Sequence, residues 1–352
     1  MEDYKTMRFS CLVKKGQAEV RERPLPEMKE DEVVIKQLTC NICTTDYGQW
    51  LGQREHQGYP MAGGHEFSGI IVAKGANVKS LQIGDFVAHT YEGCGTCPAC
   101  VVGDVMDCEN SEGLNTITDD GYRGMFGFST YNLVSSKSLI KMDKDLNPSE
   151  AGFLEPVATV VRGIERLHIK PVDNVVVIGA GTMGLVNAQV AKVYGGRVLV
   201  SEIMEKKLET ARKMGFQVID AGNEDVKVRV NEMTNGVGAD AVIVAVGNTK
   251  ANEQALELLK KKGGRILLFA AGYPAPQLPG DSNVLHYRNI EYIGTFGASM
   301  KDFVLAAKLL NTKAIDVSLL VEPAKYKLND VQKAFEAAAT PGMYRVSVLC
   351  NE

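Results

Sequence analysis

The chain has 352 residues, of which 45% are hydrophobic and 23% are charged, and its formal net charge is −4 at pH 7. This length exceeds what one hydrophobic core usually supports, so we expect two domains of ordinary globular composition. The acidic balance excludes a general binder of nucleic acid or of membrane surfaces, because such proteins carry an excess of basic residues.

The apolar runs and the N-terminal residues lead to an expected location. No uncharged apolar run reaches the roughly 18 residues that a membrane span needs. The first residues, Met1-Glu2-Asp3-Tyr4-Lys5, lack the apolar centre of a secretory signal. We therefore expect a cytoplasmic protein with no membrane partner.

Short extended segments separated by turns fill the chain up to about residue 145. The predicted strands are Glu32–Leu38, Gly69–Val72, Phe86–His89 and Tyr131–Val134. Glycines divide these segments at short intervals. The pattern predicts an irregular, mostly antiparallel β domain with little helix.

Four of the eight cysteines lie in one loop with the spacing C-x2-C-x2-C-x7-C, and they are Cys94, Cys97, Cys100 and Cys108. In a chain without an export signal, clustered thiols are more often metal ligands than disulfides. Four thiolates on so short a loop can close tetrahedrally around one zinc ion and leave no open position, so we predict a structural zinc site. The alternatives are four unrelated buried thiols or an iron–sulfur cluster.

A second group combines a thiol, an imidazole and a carboxylate. Cys43 lies in the stretch Cys40-Asn41-Ile42-Cys43-Thr44-Thr45-Asp46, and His65 and Glu66 lie between glycines in Gly63-Gly64-His65-Glu66-Phe67-Ser68-Gly69. Taken alone, a cysteine beside a strand is more often a small buried hydrophobe. A carboxylate is costly to bury in an apolar setting, which argues against a purely structural role for Glu66. With the four-cysteine loop nearby, these residues favour a second, open zinc site.

These motifs, together with Gly84-Asp85-x-Val87, resemble those of the zinc-dependent medium-chain dehydrogenases. The nearest branch is that of the polyol (sorbitol-type) and threonine dehydrogenases, and the resemblance covers nearly the whole chain. It implies a GroES-like catalytic domain and a Rossmann domain, two zinc ions per chain, and Cys43, His65 and Glu66 at the catalytic zinc. Glu66 would be either a ligand or a partner of the ligands that exchanges with water.

The segment after residue 146 carries a helix start, with Asn147 as N-cap, Pro148 at the first helical position and Glu150 at N3. Pro156 disfavours helical geometry at Glu155, so we predict that Glu155 lies at a break between two helical pieces. A carboxylate interacting with the dipole of the following helix is the plain alternative. The resemblance implies that Glu155 contacts the catalytic zinc, directly or through water, and that Thr159 of the same helix contacts the cofactor.

A buried strand, Val175–Ile178, runs directly into Gly179-Ala180-Gly181-Thr182-Met183-Gly184 and then a helix. In that context the GxGxxG motif predicts a dinucleotide turn, because its glycines permit close backbone approach. The N–H groups at the helix start would face a pyrophosphate, and Thr182 and Met183 are expected cofactor contacts.

An acidic residue, Glu202, follows the next predicted strand, 18 residues beyond Gly184. A carboxylate there can accept hydrogen bonds from ribose hydroxyls and repels a 2′-phosphate, which favours NAD over NADP. Lys206 and Lys207 leave NADP open as the alternative, because a basic side chain there can reach a 2′-phosphate. Lys207 is therefore included among the expected cofactor contacts.

Repeated strand–helix units continue to residue 295 and predict a doubly wound parallel sheet. The expected strands are Gln217–Asp220, Ala239–Val246, Arg265–Phe269 and Ile290–Thr295, and the expected helices are Lys206–Met214, Asp225–Thr234 and Ala251–Leu259. Val246 ends its strand at the carboxyl edge, where fold analogy places the cofactor. We assign residues 156–295 to the dinucleotide-binding domain.

The C-terminal segment starts a helix at Ser299 with Asp302 at N3, and a later helix is expected to be capped by Asn329. Tyr344–Leu349 is predicted to close the chain as a strand. The resemblance implies that this tail rejoins the first domain, which gives a catalytic domain of residues 1–155 and 296–352 and an inserted nucleotide domain.

The resemblance also implies a reaction, the oxidation of a secondary alcohol with zinc as a Lewis acid and hydride transfer to the nicotinamide. Thr45 matches the family's hydroxyl that takes the alcohol proton. Two positions depart from the family, since Gly48 replaces a relay histidine and Gln49 replaces a tyrosine that is frequent in polyol members. The proton is then expected to leave through water or through Glu66 and Glu155.

The expected function is an NAD-dependent oxidation of a polyol or sugar-derived alcohol. The alternatives are a threonine-type amino-alcohol dehydrogenase and a non-catalytic nucleotide-binding protein. The substrate pocket is expected in the loops Trp50–His56 and Glu112–Met125, which do not identify the substrate. By resemblance the protein is a homodimer or homotetramer that pairs strands near Ile290–Gly297.

Overall fold

The computed structural model describes residues 4–110 and 117–351. The chain divides into two compact units, one formed by Met1–Ala158 with Ala298–Glu352 and the other by Thr159–Gly297. Part of the expected substrate loop, residues 112–116, lies outside the described residues.

The first unit is built on a seven-stranded sheet with a separate two-stranded ribbon. The ribbon is β1 (Thr6–Lys14) paired antiparallel with β2 (Gln17–Pro24). The strands of the larger sheet are β3 (Glu32–Asn41), β4 (Glu66–Lys74), β5 (Phe86–His89), β6 (Tyr131–Ser135), β7 (Leu139–Lys141), β14 (Val321–Lys327) and β15 (Arg345–Leu349). Their order is β14-β15-β3-β4-β5-β7, with β6 on β3, and all pairings except β14/β15 are antiparallel. The predicted irregular antiparallel domain is thereby confirmed, and the C-terminal strand β15 lies beside β3.

Short helices connect these strands. They are α1 (Thr44–Trp50), α2 (Pro98–Val101), α3 (Pro148–Ala151), α4 (Leu154–Leu167), α10 (Met300–Asn311) and α11 (Val331–Ala338). Helix α11 buries Val331, Ala334, Phe335 and Ala338 in the core of the unit, as its apolar spacing predicts.

The second unit is a six-stranded parallel sheet in the order β10-β9-β8-β11-β12-β13. Its strands are β8 (Asn174–Ile178), β9 (Arg197–Glu202), β10 (Gln217–Asp220), β11 (Ala241–Val244), β12 (Arg265–Leu268) and β13 (Glu291–Gly294). The helices are α5 (Thr182–Val193), α6 (Glu205–Lys213), α7 (Val226–Met233), α8 (Thr249–Leu258) and α9 (Ser282–Arg288). In chain order the strands stand 3-2-1-4-5-6, which is the dinucleotide-binding arrangement, so the predicted Rossmann sheet is confirmed.

Two local predictions were wrong. Glu155 lies inside the first turn of α4, because the break between α3 and α4 comes earlier, after Ala151. Pro156 is tolerated there because the first helical N–H groups have no intrahelical partner to lose. Helix α11 is preceded by Asp330 as N-cap, while the predicted cap Asn329 belongs to a preceding 3-10 turn.

The helix starts at Asn147 and Ser299 follow the prediction. The side chain of Asn147 accepts a hydrogen bond from Ser149 N at 3.0 Å. Ser299 and Asp302 form a capping box at the start of α10. No helix among the described residues is both long enough and apolar enough to cross a bilayer.

Candidate active site

The four cysteines of the predicted structural site converge in the structure. The Sγ atoms of Cys94 and Cys100 are 4.0 Å apart, and those of Cys97 and Cys108 are 3.9 Å apart. Four sulfurs at about 2.3 Å from a tetrahedral zinc ion are separated by about 3.8 Å, whereas a disulfide would need about 2 Å. All four cysteines are free. The cluster therefore fits one closed tetrahedral metal ion.

Backbone and side-chain groups donate hydrogen bonds to Cys94 Sγ. Cys94 Sγ accepts hydrogen bonds from the backbone N–H groups of Thr96 and Cys97 at 3.4 and 3.3 Å, and from Asn110 Nδ2 at 3.3 Å. The bond from the Thr96 hydroxyl, followed by these other donors, lowers the pKa of Cys94 to about 5. A thiolate is the form that binds metal, so these donors favour the ligating state of Cys94.

The second group forms where three neighbouring strands meet. Asn41, at the end of β3, is paired with Glu66 at the start of β4 and with Ser347 of β15. Cys43 lies two residues beyond the end of β3, and His65 directly precedes β4. The antiparallel pairing of these strands therefore brings both residues to the same end of the sheet. The ligand atoms of Cys43, His65 and Glu66 all lie within 4.8 Å of one another. A thiol, an imidazole and a carboxylate at this spacing suit zinc.

Asp46 joins the two loops that carry Cys43 and His65. Its Oδ2 accepts from Cys43 N at 2.9 Å, and its Oδ1 accepts from Gly64 N at 3.1 Å. The same Oδ1 lies 3.8 Å from His65 Nδ1. A carboxylate beside the imidazole is the usual means of orienting a metal-binding histidine. The sequence shows Asp46 only as part of a motif, without this role.

Sequence reasoning missed Arg345, which lies at the start of β15. Its Nε and Nη2 donate to Glu66 Oε2 and Oε1, both at 2.8 Å, and its Nη2 is 3.6 Å from Cys43 Sγ. Both side chains are buried. Burial raises the pKa of Glu66 while the guanidinium opposes the rise, and the pKa of Arg345 is raised because the charge of Glu66 outweighs the effect of burial. No local sequence signal links residues 279 positions apart.

Glu155 lies in α4, and the preceding helix α3 positions the start of α4 near the Cys43, His65 and Glu66 group. Helix α3 packs on β3 and β4, where Asn41 Nδ2 donates to Ser149 O at 2.9 Å and Ser68 Oγ donates to Pro148 O at 2.8 Å. Glu155 is buried, and the hydroxyl of Tyr91 donates a hydrogen bond to its Oε1. It does not belong to the group of ligand atoms that lie within 4.8 Å of one another.

His65 and His89 lie next to each other, and their surroundings shift their pKa values in opposite directions. Burial acts to lower the pKa of His65, but Asp46 and Cys43 outweigh it and raise the pKa well above its usual value. Burial lowers the pKa of His89 to about 3. The His89 ring stacks on Phe67 with centroids 4.5 Å apart. With its lowered pKa, this imidazole is neutral near pH 7.

The other predicted residues of this region lie on and after α1. Thr45 is half-buried in the first turn of α1, two residues beyond Cys43. A Cβ placed on Gly48 would meet Gln53 Oε1 at 3.6 Å and Arg54 Cδ at 3.7 Å, which are ordinary van der Waals contacts. Gln49 is buried and its Nε2 donates to Gly58 O at 2.7 Å, which fixes the following loop.

The predicted dinucleotide turn has the backbone that its glycines require. Gly179 has a φ of +99°, a region that L-amino acids rarely adopt. A Cβ on Gly184 would lie 1.9 Å from Gly179 O, so this close approach excludes any side chain. Gly181 is the N-cap of α5, and Thr182 and Met183 are its first residues. Their N–H groups stand where a phosphate would be held.

Glu202 connects this turn to the loop before α6. Its Oε2 accepts from Ala180 N at 2.8 Å, and its Oε1 accepts from Ile203 N at 2.7 Å and Met204 N at 3.0 Å. A carboxylate has about four acceptor positions, so about one remains for a ribose hydroxyl. Lys207 Nζ lies 3.8 Å from the place of a Cβ on Gly181, directly over the turn.

Two further expected cofactor contacts can be located. Val246 packs against the turn, since its Cγ1 would be 2.6 Å from a Cβ on Gly179. Thr159 is half-buried on α4 at the beginning of the second unit.

Comparison with known proteins identifies the family of the chain. Residues 29–144 match the alcohol dehydrogenase GroES-like domain, and residues 182–312 match the zinc-binding dehydrogenase family. The chain is 32% identical to sorbitol dehydrogenase of Halalkalibacterium halodurans over 333 residues, which is 92% of each chain. It is 30% identical to L-threonine 3-dehydrogenase of Pyrococcus horikoshii over 331 residues, 91% of each chain.

A solved structure extends the comparison to the fold. A zinc-binding dehydrogenase of Sinorhizobium meliloti 1021, bound to NADP, has a TM-score of 0.86 and 26% identity, covering 98% of this chain and 99% of that one. The chain therefore belongs to the zinc-dependent medium-chain dehydrogenase/reductase family, in the branch of polyol and threonine dehydrogenases. Its activity class is that of an alcohol dehydrogenase, an oxidoreductase that uses zinc and a nicotinamide cofactor.

Proposed function

We propose that this protein oxidises a secondary alcohol of a polyol or sugar-derived substrate to the ketone, reversibly and with NAD. The observation that carries this proposal is the group of Cys43, His65 and Glu66, whose ligand atoms lie within 4.8 Å of one another in a chain of this family. The similarity to a sorbitol dehydrogenase supports the polyol class of substrate.

Cys43 and His65 are the proposed ligands of the catalytic zinc, together with Glu66 or Glu155. The ion supplies Lewis acidity toward the alcohol oxygen. Asp46 accepts hydrogen bonds from the backbone N–H groups of Cys43 and Gly64 and so fixes the segments that carry the two ligands, while Arg345 holds Glu66. Thr45 Oγ1 is the proposed first acceptor of the alcohol proton, because its position matches the family's hydroxyl.

Cys94, Cys97, Cys100 and Cys108 are the proposed ligands of a second, structural zinc ion. The sulfur separations of 3.9 and 4.0 Å support a tetrahedral site. Four protein ligands leave no position for substrate, so this ion would stabilise its loop and take no part in the reaction. The proposal is therefore two zinc ions per chain.

NAD is the proposed cofactor. Glu202 supports this choice, because its carboxylate lies against Ala180 N at 2.8 Å and would repel a 2′-phosphate. Lys207 over the turn is the feature that favours NADP. Activity with each cofactor at matched concentration decides between them, and a preference for NADP would contradict the proposed role of Glu202.

An amino-alcohol substrate is the second candidate, favoured by the 30% identity to an L-threonine 3-dehydrogenase. The test is one panel of polyols, sugar phosphates and threonine, each with NAD and NADP, scored by kcat/KM. The proposal expects the highest kcat/KM for a polyol or sugar-derived alcohol with NAD. A maximum for threonine would replace it with the second candidate.

A homodimer or homotetramer is also proposed. Its support is β13, an edge strand of the parallel sheet that leaves one side open to a further strand. Light scattering coupled to size exclusion measures the mass in solution. A monomer at micromolar concentration would contradict this proposal.

A further inference from the structure

The two carboxylates of the candidate active site have different partners. Glu66 is bound through both oxygens by the cationic Arg345, at 2.8 Å each. Glu155 receives one hydrogen bond, from the neutral phenol of Tyr91 to Oε1. Among the described residues, no other donor reaches Glu155, which is 7% exposed. Its Oε2 is thus the oxygen left for a further partner.

The phenol that makes this contact is itself held in place. Tyr91 follows β5 on the way to the four-cysteine loop, and its ring packs edge-on against Phe303 of α10, with centroids 5.3 Å apart. Phe303 is fully buried, and Thr90 N donates to Ser138 O at 2.8 Å just before the ring. The hydroxyl is therefore a donor whose direction is set by the surrounding core.

We propose that Tyr91 is a positioning residue that holds Oε1 of Glu155 and presents Oε2 toward the catalytic metal. This inference rests on the metal site proposed above. Because the fixed Tyr91 donor occupies one acceptor position of Oε1, the unengaged Oε2 has more acceptor positions left for a metal. Without the phenol, a buried carboxylate oxygen loses its partner, and Glu155 must turn toward another donor or the metal.

Tyr91→Phe removes the hydroxyl and keeps the ring on Phe303. Tyr194→Phe is the matched control, because the Tyr194 hydroxyl donates to Glu165 Oε1 at 3.3 Å within the second unit. Each protein is loaded with zinc and then with cobalt, which reports its ligands through its visible absorption. We measure the rate of metal release to a chelator and the cobalt spectrum.

Outer partners of metal ligands change metal affinity by about 10- to 100-fold, so release from the catalytic site should accelerate about tenfold or more in Tyr91→Phe. The cobalt bands of that site should shift, while Tyr194→Phe and the four-cysteine metal stay unchanged. Adding Tyr91→Phe to Glu155→Ala should have no further effect, because the phenol acts through Glu155.

The outcomes separate two failures. If the parent protein binds two metals but Tyr91→Phe leaves its spectrum and release rate unchanged, the role of Tyr91 is wrong and the metal site stands. An equal effect of Tyr91→Phe with and without Glu155 would also overturn the role. If the parent protein binds metal only at the four cysteines, the proposed function fails and this inference fails with it.

Discussion

Arg345 holds both carboxylate oxygens of Glu66 at 2.8 Å, and both side chains are buried. The pair joins the first residue of β15 to the first residue of β4. Removing one partner of a buried ion pair leaves an uncompensated charge and costs about 3–5 kcal/mol. We therefore expect Arg345→Met to lower the free energy of unfolding of the first unit by about that amount.

Urea titration followed by tryptophan fluorescence measures this effect, because Trp50 is the single tryptophan and stacks on Phe335 in the same unit. Glu66→Gln in the Arg345→Met background should restore part of the loss, since the remaining charge is removed. Additive effects of the two substitutions would contradict a coupled pair.

Asp46 binds the loops of both Cys43 and His65, so its carboxylate should matter for metal binding as well as for the start of α1. We expect Asp46→Asn to weaken metal binding at the candidate active site by about 10- to 100-fold, measured by chelator competition. Asp302→Asn is the matched control, because Asp302 fills the same capping-box position at α10. Equal metal affinity in the two variants would show that Asp46 has a capping role only.

The first unit should lose stability in acid partly through His89. Burial lowers the pKa of His89 to about 3, from an ordinary value of 6.5. Between these values the unfolded chain binds more protons than the folded chain, so this contribution is complete above about pH 6.5 and is lost as the pH falls toward 3. His89→Gln should flatten the pH dependence of unfolding in that range.

The control for His89 is His56→Gln, which replaces an exposed histidine of the same unit. Both variants are compared with the parent by urea titration at several pH values. An unchanged slope in His89→Gln would mean that this imidazole is charged in the folded protein or titrates normally.

Gly48 stands where the family usually has a relay histidine, and a Cβ added there makes only ordinary van der Waals contacts. If proton exit limits the rate, Gly48→His should raise kcat at low pH, where hydroxide is scarce as an alternative acceptor. Gly48→Ala is the control, because it also replaces the glycine in α1 but adds no imidazole. An equal pH profile for both variants would show that proton exit is not limiting.

Features that depend on short sequence motifs could be predicted from the sequence. The four-cysteine loop, the glycine turn after β8 and the pairing of Cys43 with His65 and Glu66 each depend on short spacings or on motifs of the family. The parallel sheet follows from the repeated strand–helix units, because a crossover helix places successive strands parallel to each other.

Features that depend on distant pairings could not be predicted. Arg345 meets Glu66 because β15 returns beside β3, and Tyr91 meets Glu155 across 64 residues. The sequence prediction placed a helix break at Glu155 because of Pro156. Pro156 lies in the first turn of α4, where proline removes no intrahelical hydrogen bond, so the helix includes Glu155. For the Arg345–Glu66 and Tyr91–Glu155 contacts, the controlling fact is tertiary contact, which local patterns do not encode.

The most direct test of this account is zinc content per chain, measured together with alcohol oxidation, in the parent protein and in Cys43→Ser. We predict two zinc ions in the parent and one in Cys43→Ser, which should stay folded, keep the ion of the four cysteines and lose alcohol oxidation. A parent protein that is fully active with one zinc, or a Cys43→Ser variant that still oxidises alcohols at the parent rate, would contradict it.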